Sequence, residues 1–235
     1  MIPDDELRRI VQAVRPHTMV ADEGITLAMR AAIHVIASNI PGALVECGVW
    51  RGGCSAAILL AQRAVFGRVL RPIYMLDSFE GLPPVDPRDG PLAAAYQRQE
   101  YADYLDNCRA GIEEAQAALD QLGLAPDEYT LVKGWFDATV PPLAESLRDQ
   151  GVALLRLDGD WYDSTMTCLT HLEPLLSPEG MVLIDDYYEW DGCPRAIHDY
   201  LSRNDLAYRI QSAPNLRGAY FTKRTAKRAD AGWFV

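Results

Sequence analysis

The chain has 235 residues, 49% of them hydrophobic, with 22 Lys and Arg against 33 Asp and Glu and a formal net charge of −11. The hydrophobic share excludes wholesale disorder and leaves room for one large domain. The acid excess excludes a protein that grips nucleic-acid backbone through a basic stripe, and equally a polybasic membrane-surface protein.

The N-terminal stretch MIPDDELRRIVQAV is charged and amphipathic and lacks the apolar core of a secretory signal. No apolar run approaches the ~20 residues of a spanning helix. The five cysteines, Cys47, Cys54, Cys108, Cys168 and Cys193, are odd in number and contain no CxxC pair, so free thiols in a cytoplasmic protein are expected, each acting as a small buried hydrophobe.

A helical segment occupies residues 1–40, with an apolar helix at 22–38 ending at the breaker Asn39-Ile40-Pro41-Gly42. ALVEC (43–47) reads as a buried strand, GVWRGG (48–53) as a glycine-rich turn, and a helix then runs to about Phe66. PIYML (72–76) is the second strand, ending on Asp77. The proline-rich segment 79–91 is too long for a plain connector and suggests a lid or substrate loop. A polar helix carrying Tyr96, Tyr101 and Tyr104 is expected to run to about Gly123, so that 79–123 forms a lid or acceptor region.

YTLVK (129–133) is the third strand, followed by Gly134-Trp135-Phe136-Asp137 and a short helix. ALLRLD (153–158) is the fourth, with Asp163 expected to cap a helix opening near Ser164. MVLID (181–185) is the fifth, and 193–204 is helical. YRIQS (208–212) and GAYFTK (218–223) close the pattern as a strand pair, and the tail from 225 to 235 reads as weakly structured. Alternating apolar runs and helical patterns predict a single α/β domain over 1–235. Its sheet is doubly wound, mostly parallel and seven-stranded, with an antiparallel strand near the C-terminus.

Ligands of such sheets bind beyond the carboxyl ends of the strands. The first strand ends in Glu46-Cys47-Gly48, with Gly52 and Gly53 opening the next helix. The dinucleotide pattern G-x-G-x-x-G fails for want of a glycine at position 50, and the P-loop pattern fails because Cys54 stands where its lysine belongs. Acidic-x-Gly-x-x-x-Gly, as in Glu46, Gly48 and Gly52, fits a class I methyltransferase, with Asp77 placed to accept from ribose hydroxyls. A plain tight turn remains the alternative on the glycines alone.

Asp158 ends the fourth strand and Asp185 the fifth, with Asp160 and Asp186 beside them. Neighbouring strands would bring these four carboxylates to one rim, where mutual repulsion favours a hard divalent cation, Mg²⁺ first. The histidines His17, His34, His171 and His198 fall in helical or loop positions and are not the expected base.

The runs VECGVWRGG (45–53), MLDSFEGLP (75–83), KGWFDAT (133–139), LRLDGDWYDST (155–165) and VLIDDY (182–187), in this order, resemble the macrocin O-methyltransferase (TylF/MycF-type) family from about Thr18 to Tyr220. The resemblance implies a Rossmann-like class I fold and S-adenosylmethionine as methyl donor. It also implies Mg²⁺ as cofactor and a sugar hydroxyl of an antibiotic as acceptor. By motif position, Asp158, Asp185 and Asp186 would hold the metal and Asp160 would be the general base. Glu46, Gly48, Gly52, Asp77, Ser78 and Asp158 would belong to the cofactor segments, with Thr18-Met19 and Trp135-Phe136 also approaching the cofactor. Trp161 stands where the family often has a smaller residue, and the segment 85–105 is unlike typical members. The resemblance and the apolar helix 22–38, read as exposed, imply a homo-oligomer. Alternatives are a catechol-type O-methyltransferase, a non-catalytic nucleotide-binding module and a metal-dependent phosphohydrolase.

Overall fold

The structure is a computed structural model that describes residues 2–101, 104–213, 215 and 217–224. Seven strands, β1 (Ala43–Cys47), β2 (Ile73–Asp77), β3 (Tyr129–Lys133), β4 (Val152–Leu157), β5 (Leu176–Ile184), β6 (Gln211–Ser212) and β7 (Ala219–Thr222), form one sheet in the order β3-β2-β1-β4-β5-β7-β6. The strands β1 to β5 are parallel, and β7 runs antiparallel to both β5 and β6. The expected doubly wound sheet is therefore present, with two antiparallel contacts at its end. Both β1 and β4 are buried along their whole length, as parallel strands covered on both faces must be.

Helices α1 (Asp4–Val14), α2 (Asp22–Ala37), α3 (Gly53–Phe66) and α5 (Ile112–Gln121) pack an apolar layer on one face of the sheet. Helices α6 (Phe136–Ser146), α7 (Tyr162–Leu172) and α8 (Gly192–Arg203) cover the other. The short α4 (Gly90–Gln97) lies beyond the strand ends. After β1 the chain winds outward through β2 and β3 and then returns to place β4 on the free side of β1. That reversal opens a crevice beyond the carboxyl ends of β1 and β4.

Five local expectations are corrected. Helix α2 is not exposed: Ile25, Ala28, Met29, Ala31, Ala32 and Val35 are fully buried, each larger one worth about 1.5–3 kcal/mol of burial. It forms part of the core and presents no apolar face to a second copy. The polar helix expected up to Gly123 is broken in two, α4 and α5. Between them Gln99, Asp106, Asn107 and Cys108 all take positive φ, which no helix accommodates. The strand expected at 208–212 shrinks to Gln211–Ser212, whereas β5 begins at Leu176, ahead of its expected start. Asp163 does not cap α7, which starts at Tyr162. The expected tail at 225–235 lies outside the described residues. No described helix is long and apolar enough to cross a membrane.

Candidate active site

The strand ends are laced together by backbone hydrogen bonds. Gly48 N–H donates to Leu76 O (2.8 Å), Asp158 N–H to Cys47 O (2.9 Å) and Asp185 N–H to Leu157 O (2.9 Å). The ends of β2, β1, β4 and β5 thus form one continuous rim. Gly48 sits on it at φ +91°, and a Cβ there would lie 1.6 Å from the Asp158 carbonyl oxygen. Only glycine permits that closeness and that φ together.

The Asp77 carboxylate shapes the turn after β1. It accepts from Val49 N–H (2.8 Å) and Trp50 N–H (3.0 Å) through one oxygen, and from Phe79 N–H (2.7 Å) through the other. Ser78 closes the next turn, its hydroxyl donating to Gly81 O (2.9 Å) and accepting from Glu80 N–H (3.0 Å). The turn after β1 leads directly into the N-terminus of α3, whose unpaired N–H groups favour an anionic or polar ligand.

Beyond this rim lies a cavity of about 380 Å³. Thr18, Met19, Glu46, Gly48, Asp77, Ser78, Trp135 and Phe136 line one part of it, and Asp158, Asp160, Asp185 and Asp186 another. Gly52 does not line it. It sits one step behind, at φ +80°, as the residue that starts α3. Met19 and Trp135 are exposed at the mouth. None of the four histidines borders the cavity.

The four aspartates meet there as a group of three with Asp185 beside it. Asp158, Asp160 and Asp186 each bring one carboxylate oxygen within 4.8 Å of the others. Asp160 stands in the left-handed region at φ +57°, a conformation Asp tolerates, and its N–H donates to Asp186 Oδ2 (2.9 Å). Asp185 Oδ1 is instead held by Arg156 Nη2 (2.5 Å), and Asp158 Oδ2 by Arg156 Nη1 (2.6 Å). The same Nη1 donates to Glu46 Oε1 (2.7 Å), and Ser55 Oγ donates to the other Glu46 oxygen. Glu46 is fully buried, so within this conformation both of its oxygens serve the protein itself.

Burial, followed by repulsion from neighbouring carboxylates, pushes Asp160 and Asp186 far above the ordinary carboxylate range. Burial also raises Asp185, to about 7, despite the attraction of Arg156. Such a cluster takes up either protons or a cation. An all-oxygen donor set of this kind suits Mg²⁺, Mn²⁺ or Ca²⁺; the oxygens that converge are those of Asp158, Asp160 and Asp186, whereas Asp185 is turned to Arg156 and lies outside that group.

Sequence reasoning missed Arg156. Its signal was an arginine inside the apolar run ALLRL, where a lone charge in a buried strand demands partners. Tyr96 and Tyr101, from the expected lid or acceptor region, line the cavity together with Trp190 and Asp160. Trp190 meets Tyr96 edge-on at 5.6 Å. These aromatics come from separate segments, so only the fold brings them together. Trp161 does not reach the cavity. It is 1% exposed, packs edge-on against Trp190 at 5.2 Å and donates to Pro83 O (3.0 Å). Asp89, buried and unremarked in the sequence, takes the role expected of Asp163 by accepting from Tyr162 N–H (2.6 Å).

Comparison with known proteins gives the family and the fold. The model of the macrocin-O-methyltransferase (TylF) family matches residues 5–223. A tetracenomycin-rhamnoside 4'-O-methyltransferase from Streptomyces olivaceus is 37% identical over 81% of this chain and 70% of its own. Mycinamicin III 3''-O-methyltransferase from Micromonospora griseorubida is 31% identical over 83% and 74%, respectively. The solved O-methyltransferase NovP superposes with a TM-score of 0.76 at 30% identity, covering 89% of this chain and 83% of its own. The calicheamicin methyltransferase CalS11, at 20% identity and a TM-score of 0.67 over 93% and 91%, shares the fold. The chain is an O-methyltransferase and belongs to the macrocin-O-methyltransferase (TylF) family.

Proposed function

We propose that this enzyme methylates a sugar hydroxyl of a glycosylated, antibiotic-type natural product, using S-adenosylmethionine and Mg²⁺ in the cytoplasm. The observation that carries the reading is one cavity with two chemically distinct parts. One is a glycine turn and helix N-terminus organised by Asp77. The other is a knot of aspartates, one buried and three half-buried.

S-Adenosylmethionine supplies the methyl group as an electrophilic sulfonium, and a bound Mg²⁺ would lower the pKa of a coordinated hydroxyl. Asp158, Asp185 and Asp186 are the proposed metal ligands and Asp160 the proposed base. Asp160 suits the role because its oxygen lies within the same 4.8 Å group as those of Asp158 and Asp186. Its backbone N–H, bonded to Asp186 Oδ2, holds Asp160 beside that carboxylate for proton transfer. Asp77, Ser78, Gly48 and the start of α3 form the proposed donor cradle, with Gly52 behind it. Thr18, Met19, Trp135 and Phe136 border the mouth and Glu46 the floor. The region 79–123, carrying Tyr96 and Tyr101, is the proposed acceptor cover, which excludes water from the reacting pair. The proposed assembly is a homo-oligomer, supported by the family likeness alone, and sedimentation of the purified chain tests it.

The test is methyl transfer from labelled S-adenosylmethionine to a rhamnosylated polyketide, with catechol offered in parallel. Transfer to the glycoside, loss of turnover with EDTA and recovery with Mg²⁺ are expected. Asp160→Asn should keep cofactor binding and lose about 10²–10⁴-fold in turnover. Turnover that survives thorough chelation overturns the metal, near-normal turnover in Asp160→Asn overturns the base, and preference for catechol overturns the acceptor class.

A further inference from the structure

We infer that Arg156 is a positioning residue for the cation site, fixing the orientations of Asp158 and Asp185 rather than merely offsetting their charge. The inference rests on the metal reading above.

The sheet register creates the arrangement. Glu46 on β1 lies directly beside Arg156 on β4. Asp158 follows Arg156 by two residues and so shares its face of the chain. Asp185 follows β5 just as Asp158 follows β4, and its N–H bonds Leu157 O. One guanidinium, 2% exposed, therefore reaches three carboxylates from three strands: Glu46 at 2.7 Å, Asp158 at 2.6 Å and Asp185 at 2.5 Å.

The geometry is that of a fork with a fixed stem. Glu46, pinned on its far side by the Ser55 hydroxyl, anchors the Nη1 end. The planar guanidinium then presents its remaining hydrogens to one oxygen of Asp158 and one of Asp185. Each aspartate is left with a second oxygen that the guanidinium does not hold. Asp160 and Asp186, which Arg156 does not bond, are tied to each other through the Asp160 N–H. The four carboxylates are thus held by two separate devices, and Arg156 is the one that spans two strand ends.

The two roles open to Arg156 differ in sign. As a simple counter-charge it repels an incoming cation, so its removal tightens cation binding. As a positioning group its removal weakens binding, because two carboxylates lose their orientation. Arg156→Lys keeps the charge and loses the fork, and Arg156→Met loses both.

The probe is Mn²⁺, titrated into the full-length protein without substrate and read as the loss of the free-ion electron paramagnetic resonance signal. Circular dichroism and S-adenosylhomocysteine binding by tryptophan fluorescence report on the fold. We expect Arg156→Lys to stay folded and to weaken Mn²⁺ binding by about tenfold or more, the size usual for groups that orient metal ligands. Arg156→Met should weaken it at least as much, and if that variant fails to fold, the lysine variant decides. Unchanged Mn²⁺ affinity in Arg156→Lys, or tighter binding in Arg156→Met, overturns the inference while leaving the metal reading intact. Absence of Mn²⁺ binding by the wild-type protein overturns the metal reading and the inference with it.

Discussion

Removing the Asp89 carboxylate should loosen the start of α7 and, with it, Asp160. Asp89 is 1% exposed and satisfies two backbone donors at once: Tyr162 N–H at 2.6 Å and Asp86 N–H at 2.8 Å. Helix α7 has no cap from its own flanking residue Trp161, so Asp89 reaches across from the 79–91 segment to supply it. In Asp89→Ala one buried and one half-buried N–H group lose their partners, at about 1–3 kcal/mol for the buried one and less for the other, and the helix N-terminus loses an anion worth about 0.3–1 kcal/mol. Allowing for water entry, we expect a loss of about 3 kcal/mol, or roughly 6–12 °C in melting temperature at this chain length. Asp89→Asn keeps an acceptor for Tyr162 but turns an amide donor toward Asp86 N–H, so about half that loss is expected. Gly192→Ala attacks the same contact from α8, because its Cβ would lie 2.2 Å from Asp89 Oδ1. Differential scanning calorimetry of the three variants is the assay. An Asp89→Ala melt within about 2 °C of wild type, or an Asn variant less stable than the Ala variant, would refute the reasoning.

Two further predictions follow from the rim. Gly48→Ala places a Cβ 1.6 Å from a backbone oxygen at φ +91°, and it should cost at least about 3 kcal/mol and abolish S-adenosylhomocysteine binding in a fluorescence titration. The raised carboxyls set a pH dependence. Asp185 in the folded protein titrates near 7 and in the unfolded chain near 3.8, so the folded state holds the extra proton between those values. Stability of the metal-free protein should therefore fall as pH rises from about 4 to 7, and Asp160 and Asp186 shift the same way. Melting at pH 5.5 and pH 8, with and without Mg²⁺, checks this. Metal-free protein should melt higher at the lower pH, and Mg²⁺ should help chiefly at pH 8.

Much of this was legible in the chain. Strand β1 lies where its apolar run predicts it, because a strand buried on both faces writes itself as a continuous hydrophobic segment, and the half-buried edge strand β3 also matches its expected range. The aspartates at the ends of β4 and β5 were visible as polar residues terminating such runs. The break between α4 and α5 was not, since Asp106, Asn107 and Cys108 owe their positive φ to a tertiary anchor. Asn107 pins itself to Leu82 through both its side chain and its backbone oxygen. Helix α2 was misjudged as exposed because an apolar helix reads the same whether it faces solvent or lies among α1, α3 and the sheet.

The sequence by itself determined the elements, the family and the inventory of acidic groups, because periodicity and motif order are properties of neighbours along the chain. The tertiary structure decided how those groups divide. Arg156 holds Asp158 and Asp185, Asp160 ties Asp186, and Asp89 anchors the helix beside them. Those assignments depend on register between strands and on contacts between residues up to 73 positions apart, which no local pattern encodes.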